Sequence, residues 1–337
     1  YIGLLYSGRT FDDDTNHVVA ADANLRLFGK HSLGMNTLFS FTDNDPSGRK
    51  NGMAASLLYQ YSQKSLGLFG MLEFMEKDFR MDTAFFQRSG ITKFTGYIGP
   101  QFYPKSPKLS WIKRFNPFVY GYYLHDHQTG GNDLFFFPAL RFFFSRNANL
   151  RFDYRFIREN WADRDFWQRE LMVSGSARPS RWLNMNGQVR YGKRLYYAAE
   201  NPFLGNRFCL NLSASIQPNA RLTQDFDYTW QRFKRKEDGF MVYDLNLILS
   251  RTTYQFNRNL FLRALIQYDS YNRRLLSDAL ISFTLIPGTV LHLGYGSLHQ
   301  KRVWNEELQE WREIPDSGHY YQSTQSLFFK ASYLYRF

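Results

Sequence analysis

The residues best suited to chemistry are the histidines, and two of them flank an aspartate in His125-Asp126-His127. In an extended segment, residues two apart face the same side, so this pair could offer two imidazole nitrogens to a metal. The sequence fixes no third ligand, and a polar loop shoulder beside Thr129-Gly130-Gly131 accounts for the same residues. The stretch Asp43-Asn44-Asp45-Pro46-Ser47-Gly48 begins like a calcium loop, but its twelfth position is Ala54, where a bidentate Glu is required. It is not an EF-hand. His292 points inward from its segment with no assignable Ser or carboxylate partner, and His17, His31, His299 and His319 fall mostly in loops or turns. No nucleophile elbow, P-loop or HExxH occurs. The single cysteine, Cys209, excludes a disulfide framework and any Cys-based zinc or iron–sulfur site. The expectation is a non-enzyme without catalytic residues, metal or cofactor.

The elements carrying these residues alternate with period two. From Leu150 to Phe156, Leu150, Phe152, Tyr154 and Phe156 oppose Arg151, Asp153 and Arg155. From Leu183 to Tyr191, Leu183, Met185, Gly187, Val189 and Tyr191 oppose Asn184, Asn186, Gln188 and Arg190. From Arg207 to Gln217, Phe208, Leu210, Leu212, Ala214 and Ile216 oppose Arg207, Asn211, Ser213, Ser215 and Gln217. Marking every such segment predicts about eighteen antiparallel strands, each near the ~9 to 11 residues that cross a bilayer when tilted. Short turns at 29–31, 63–65, 104–114, 147–149, 175–182, 218–220, 257–259 and 287–288 alternate with longer polar loops at 8–16, 43–51, 76–90, 196–206 and 297–325. This is the organisation of a transmembrane β-barrel with periplasmic turns, extracellular loops and both chain ends periplasmic. A soluble sandwich uses strands of ~5 to 6 residues, and a propeller would show a blade-length repeat. Apolar runs such as Leu134 to Leu140 fall short of the ~18 residues of a spanning helix.

Composition agrees: 19% of the 337 residues are aromatic, yet the mean hydropathy is −0.47. Lys+Arg exceed Asp+Glu by 42 to 30, giving +12. Lys30, Lys64, Lys105, Lys108, Lys113, Arg114, Arg146, Arg178, Arg181 and Arg258 lie in or beside the short turns, which contain no acidic residue. Anionic lipid head groups attract such a rim by about 1 kcal/mol per residue. The aromatic residues follow the outward period and form no stacking platform, which excludes a nucleic-acid reading. Alternation places Arg141, Arg151, Asp153, Arg155, Arg190, Arg207, Asp225, Asp227, Arg263 and Lys330 in the lumen, with Glu73, Lys93, Glu170 and Asp244 among the other inward charges. Signs nearly balance there, so cross-strand ion pairs are expected, Arg141 with Asp153 among them. Phe69, Tyr97, Phe135, Phe137 and Phe143 also point inward.

Trp111, Trp161, Trp167 and Trp182 fall near strand ends, where an interface belt places amphipathic rings. The last strand alternates through Phe329, Ala331, Tyr333, Tyr335 and Phe337. It resembles the C-terminal signal by which the barrel assembly machinery recognises outer-membrane proteins. The expected location is therefore the Gram-negative outer membrane, with its lipids and that machinery as partners.

The segments Tyr254 to Leu260, Gln267 to Arg273, Leu285-Ile286-Pro287-Gly288-Thr289 and Gly294-Tyr295 resemble a family of largely uncharacterised outer-membrane proteins of Bacteroidota and related bacteria. In that family a domain similar to family-nine carbohydrate-binding modules precedes a large C-terminal barrel. The resemblance implies that residues 1–337 are one barrel, the C-terminal part of a longer chain, which the start at Tyr1 also suggests. It supplies no catalytic residues. Two functions fit: a porin-like channel for polar solutes, or a non-conducting anchor for a periplasmic domain or envelope partners.

Overall fold

The computed structural model describes residues 1–12, 14–43, 48–86, 88–198, 200–305, 307–308, 310–313 and 319–334, with Val303, Trp304, Trp311 and Glu313 described through their backbone. Asp13, residues 44–47 of the calcium-like stretch, and Tyr335 and Phe337 of the assembly signal lie outside them.

The alternating segments form strands because period-two patterning gives each one an apolar and a polar face. In chain order they are β1 (Ile2–Phe11), β2 (Asp14–Leu27), β3 (His31–Asp43), β4 (Lys50–Ser62), β5 (Leu66–Met75), β6 (Ile91–Pro100), β7 (Ile112–Asp126), β8 (Asn132–Phe144), β9 (Asn149–Trp161) and β10 (Arg164–Ser180). There follow β11 (Leu183–Tyr196), β12 (Phe203–Ile216), β13 (Leu222–Arg235), β14 (Met241–Gln255), β15 (Leu260–Asp269), β16 (Arg274–Ile286), β17 (Thr289–Gln300), β18 (Arg302–Asn305), β19 (Glu310–Glu313) and β20 (Tyr321–Ser332). An 18-stranded antiparallel sheet holds all but β18 and β19, as the sequence predicts. Among the described residues no helix is long and apolar enough to cross a membrane; a barrel crosses with strands.

The strands of this sheet run from 10 residues in β1 to 17 in β10, so the longer ones exceed the ~9 to 11 residues of a bilayer crossing and extend past it. This corrects the strict alternation of short and long connections. The stretch 8–16 is a hairpin: β1 and β2 stay paired as far as Phe11 with Asp14, and Asp12 takes a left-handed φ of 51°. Ala162 and Asp163, at φ 51° and 56°, make a similar two-residue link from β9 to β10. Left-handed conformers suit such turns because their twist matches that of the strands. Within the stretch 297–325, β17 runs on to Gln300, β20 starts at Tyr321, and β18 pairs with β19 from Arg302 with Glu313 to Asn305 with Glu310.

Two compact units are distinguished. The first comprises residues 1–143, 151–171 and 193–204. Its exposed apolar side carries Val19, Phe39, Leu57, Leu72, Phe94, Ile98 and Phe136, and its inward side buries Val18, Ala20, Ala54, Phe118 and Phe137. The second exposes Leu212, Phe226, Ile266, Ile281 and Leu293, while Cys209, Phe233 and Ser282 are buried on its inward side. Asp244 departs from the expectation. Opposite Arg232 in register, it joins Arg232 (2.8 Å) and the indole N–H of Trp230 (2.7 Å) on the outward face. A register shift at Phe233/Lys234 and the nearby strand end explain why charge is tolerated there.

Candidate functional site

The inward wall of β5 to β10 in the first unit is built from rings and arginines. Phe69 stacks on Tyr97 (5.7 Å), Tyr97 meets Phe118 (5.6 Å), and Phe118 meets Phe137 (5.9 Å). Tyr120 and Phe135 extend the same surface. Alternation places these rings on one face of adjacent strands, within reach of one another across the ladder. Over them lie cations: Arg141 and Arg151 are 5.0 and 5.1 Å from the Phe118 ring, and Arg155 is 5.7 Å from Phe137.

Asp153 organises these charges. Its side chain has no solvent exposure, forms an ion pair with Arg151 Nε at 2.9 Å and accepts a hydrogen bond from Arg155 Nε at 2.7 Å, while Arg155 also approaches the buried Glu170 at 3.6 Å. The expected pairing of Arg141 with Asp153 is thus replaced. Residues at i ± 2 share the face of Asp153 and reach it along the strand, whereas Arg141 settles over Phe118. A cross-strand pair does form between Lys93 and Glu73, directly opposite in register and 3.1 Å apart.

A second feature lies inside the first unit. The 76–90 connection between β5 and β6, expected as a solvated loop, folds against the inward faces of β1 to β4 as a strap. Arg9 of β1 binds Asp82 (3.0 Å), and Ser7 binds Thr83 (2.7 Å). Asn16 of β2 donates to the Arg80 carbonyl and accepts the Asp82 N–H, both at 3.0 Å. Ser40 of β3 accepts the Arg80 N–H at 3.2 Å. Phe79 is buried where β4 has Gly52, and a Cβ on Gly52 would fall 2.3 Å from the Phe79 nitrogen. Arg80 also binds Asp82 (2.6 Å) and Asp14 (3.2 Å). The hydrogen bond it donates to Asp82 foremost, with the charges of Asp82 and Asp14, raises its guanidinium above the ordinary arginine value. The small or polar residues Ser7, Asn16, Ser40 and Gly52 are the only sequence signal for this docking. They lie on four strands and had no visible common purpose.

The inward face of the second unit is different in kind. Asn149, Ser174, Ser176, Asn186, Gln188 and Asn211 line a polar recess of about 280 Å³ without a charged side chain. Asp225 accepts from Ser215 at 2.7 Å, and Asp227 lies opposite Ser213. Arg263 lies opposite Thr253 and Leu280, Lys330 opposite His292, and Arg190 and Arg207 lie on the same inward rows. The inward surface of the first unit is thus aromatic and charged, and that of the second is small and polar.

His125 and His127 do share a face, with rings 4.7 Å apart, but it is the outward one. Each is engaged, His125 with Asn132 (2.8 Å) and His127 with Thr92 (2.8 Å). No group of three metal-ligating side chains occurs among the described residues. Trp111, Trp161, Trp167 and Trp182 are all exposed, Trp111 and Trp182 at short turns, Trp161 and Trp167 flanking the opposite connection. Tyr333 is exposed just past β20.

No protein-family model and no curated protein matches the chain. Solved structures do. A mutant ferric enterobactin receptor from Pseudomonas aeruginosa superimposes with a TM-score of 0.56 at 9% identity, over 95% of this chain and 63% of the receptor. The siderophore receptor PirA from Acinetobacter baumannii gives 0.51 at 6% identity, over 94% of this chain and 64% of PirA. The chain thus spans less than two thirds of the length of either. Such likeness shows the fold, which is that of outer-membrane β-barrels.

Proposed function

We propose that the protein is a passage for polar solutes across the outer membrane, narrowed by the 76–90 strap. The strap is the observation that carries this reading. A barrel serving only as an anchor has no need of a connection laid along its inward face by side-chain bonds to β1, β2 and β3. The uncharged recess of the second unit offers hydroxyl and amide groups to a solute such as an oligosaccharide, and Arg190, Arg207 and Arg263 would orient it. Under this reading residues 1–337 form one barrel, its tryptophans anchor it at the lipid interfaces, and its final strand addresses it to the assembly machinery. Structures of siderophore receptors share the fold, and transport is the common theme.

The packed rings and ion pairs of β5 to β10 favour a second reading, a non-conducting anchor for periplasmic or outer-membrane partners. Conductance in planar bilayers separates the two. Wild-type protein should conduct weakly, and Asp82→Ala, which releases Arg9 and Arg80 together, should conduct more. Silence from both well-inserted proteins would establish the anchor.

A further inference from the structure

Three prolines occupy successive strands of the first unit: Pro100 in β6, Pro117 in β7 and Pro138 in β8. The β6–β7 ladder runs from Ile91 with Asp126 to Ile98 with Val119, and the same register returns at Phe102 with Phe115, which exchange two hydrogen bonds of 2.8 and 2.9 Å. That register sets Pro100 opposite Pro117. Alternation makes theirs a position that would also exchange two bonds, and neither residue has an N–H to give. The Asn116 amide takes over the Pro100 carbonyl at 2.8 Å. Central strands exclude proline for this reason, so the pair marks a place where pairing has been given up.

Above the gap, on the outward side, lies an apolar groove of about 530 Å³ lined by Ile98, Val119, Pro138, Leu140, Phe152 and Leu171. Phe118 and Asp153 of the inward cluster also reach it. On the bilayer side of a barrel such a hollow meets hydrocarbon, not water. Another β-strand cannot add to it, because it lies on a sheet face and ladder donors point along the sheet plane. Along β7 the same outward row continues through Phe115 to Lys113, which is exposed at the short-turn end. Four residues at ~3.3 Å each put that cation roughly 13 Å from Pro117.

We infer that the groove holds one acyl chain of a phospholipid whose phosphate is bound by Lys113. The occupant is a single retained lipid, distinct from the mobile annulus and independent of whether the barrel conducts. Native mass spectrometry of purified protein titrated with phosphatidylglycerol in detergent tests this. Wild type should retain one lipid, and Val119→Trp, which fills the groove, should lose it. Ile281→Trp, on the outward face of the second unit, should keep it. The double variant Pro100→Val/Pro117→Val restores both donors and should also lose the lipid while keeping heat-modifiable migration on gels. Equal retention by Val119→Trp and wild type, or no lipid on folded wild type, would overturn the inference.

Discussion

Asp153 shows what one buried carboxylate does in this wall. Two guanidinium groups, each about a fifth exposed, depend on it, and the rings of Phe118 and Phe137 sit beside them. Removing one member of a buried ion pair usually costs about 3 to 5 kcal/mol, because the remaining charge stays desolvated. Partial exposure of both arginines and the nearby Glu170 pull the expectation to the lower end. Asp153→Asn should destabilise the protein by about 3 kcal/mol in denaturant unfolding from detergent. A loss under about 1 kcal/mol would mean that the cluster is wet and behaves like a surface pair. Such pairing could not be assigned from sequence: Arg141, Arg151 and Arg155 all lie on the right face, and local geometry along β9 decides among them.

Strands were legible at the element scale because each is long, alternates without interruption and uses its own residues to define two faces. Leu150 to Phe156 announces β9 by itself. Strand ends were not so legible, since above the bilayer the outward face loses its need to be apolar, as Asp244 and Arg232 show. The strap was illegible for another reason. Its docking depends on space created jointly by Ser7, Asn16, Ser40 and Gly52, which are distant in sequence and become neighbours only when β1 to β4 pair. Gly52 gives the sharpest test of it. A side chain there must push the Phe79 backbone away, at about 1 to 3 kcal/mol for overpacking. Gly52→Val should therefore expose Lys77, Arg80 and Arg88 to trypsin in detergent-solubilised protein that still migrates as folded. Protection equal to wild type would show that the strap does not need the glycine.

For the molecule as a whole, orientation ties sequence to membrane. The connections at 101–111, 145–148, 181–182 and 256–259 carry basic residues without acidic ones, whereas the opposite end contains the acidic and mixed stretches, including Glu237 and Asp238. A rim that is purely basic suits the leaflet of anionic phospholipid head groups, each nearby cation contributing about 1 kcal/mol. The prediction is that this end faces the periplasm. Cys209 makes the test clean, since it is the single cysteine and is buried on the inward face at 2% exposure. A cysteine introduced at an exposed connection becomes the accessible thiol. Glu237→Cys, between β13 and β14, should react with a membrane-impermeant maleimide on intact cells. Ser110→Cys, between β6 and β7 beside Lys108 and Lys113, should react only after the outer membrane is disrupted. The reverse pattern would invert the topology, place the strap's end of the barrel in the periplasm, and set Lys113 against the outer leaflet, away from the phospholipid assigned to it.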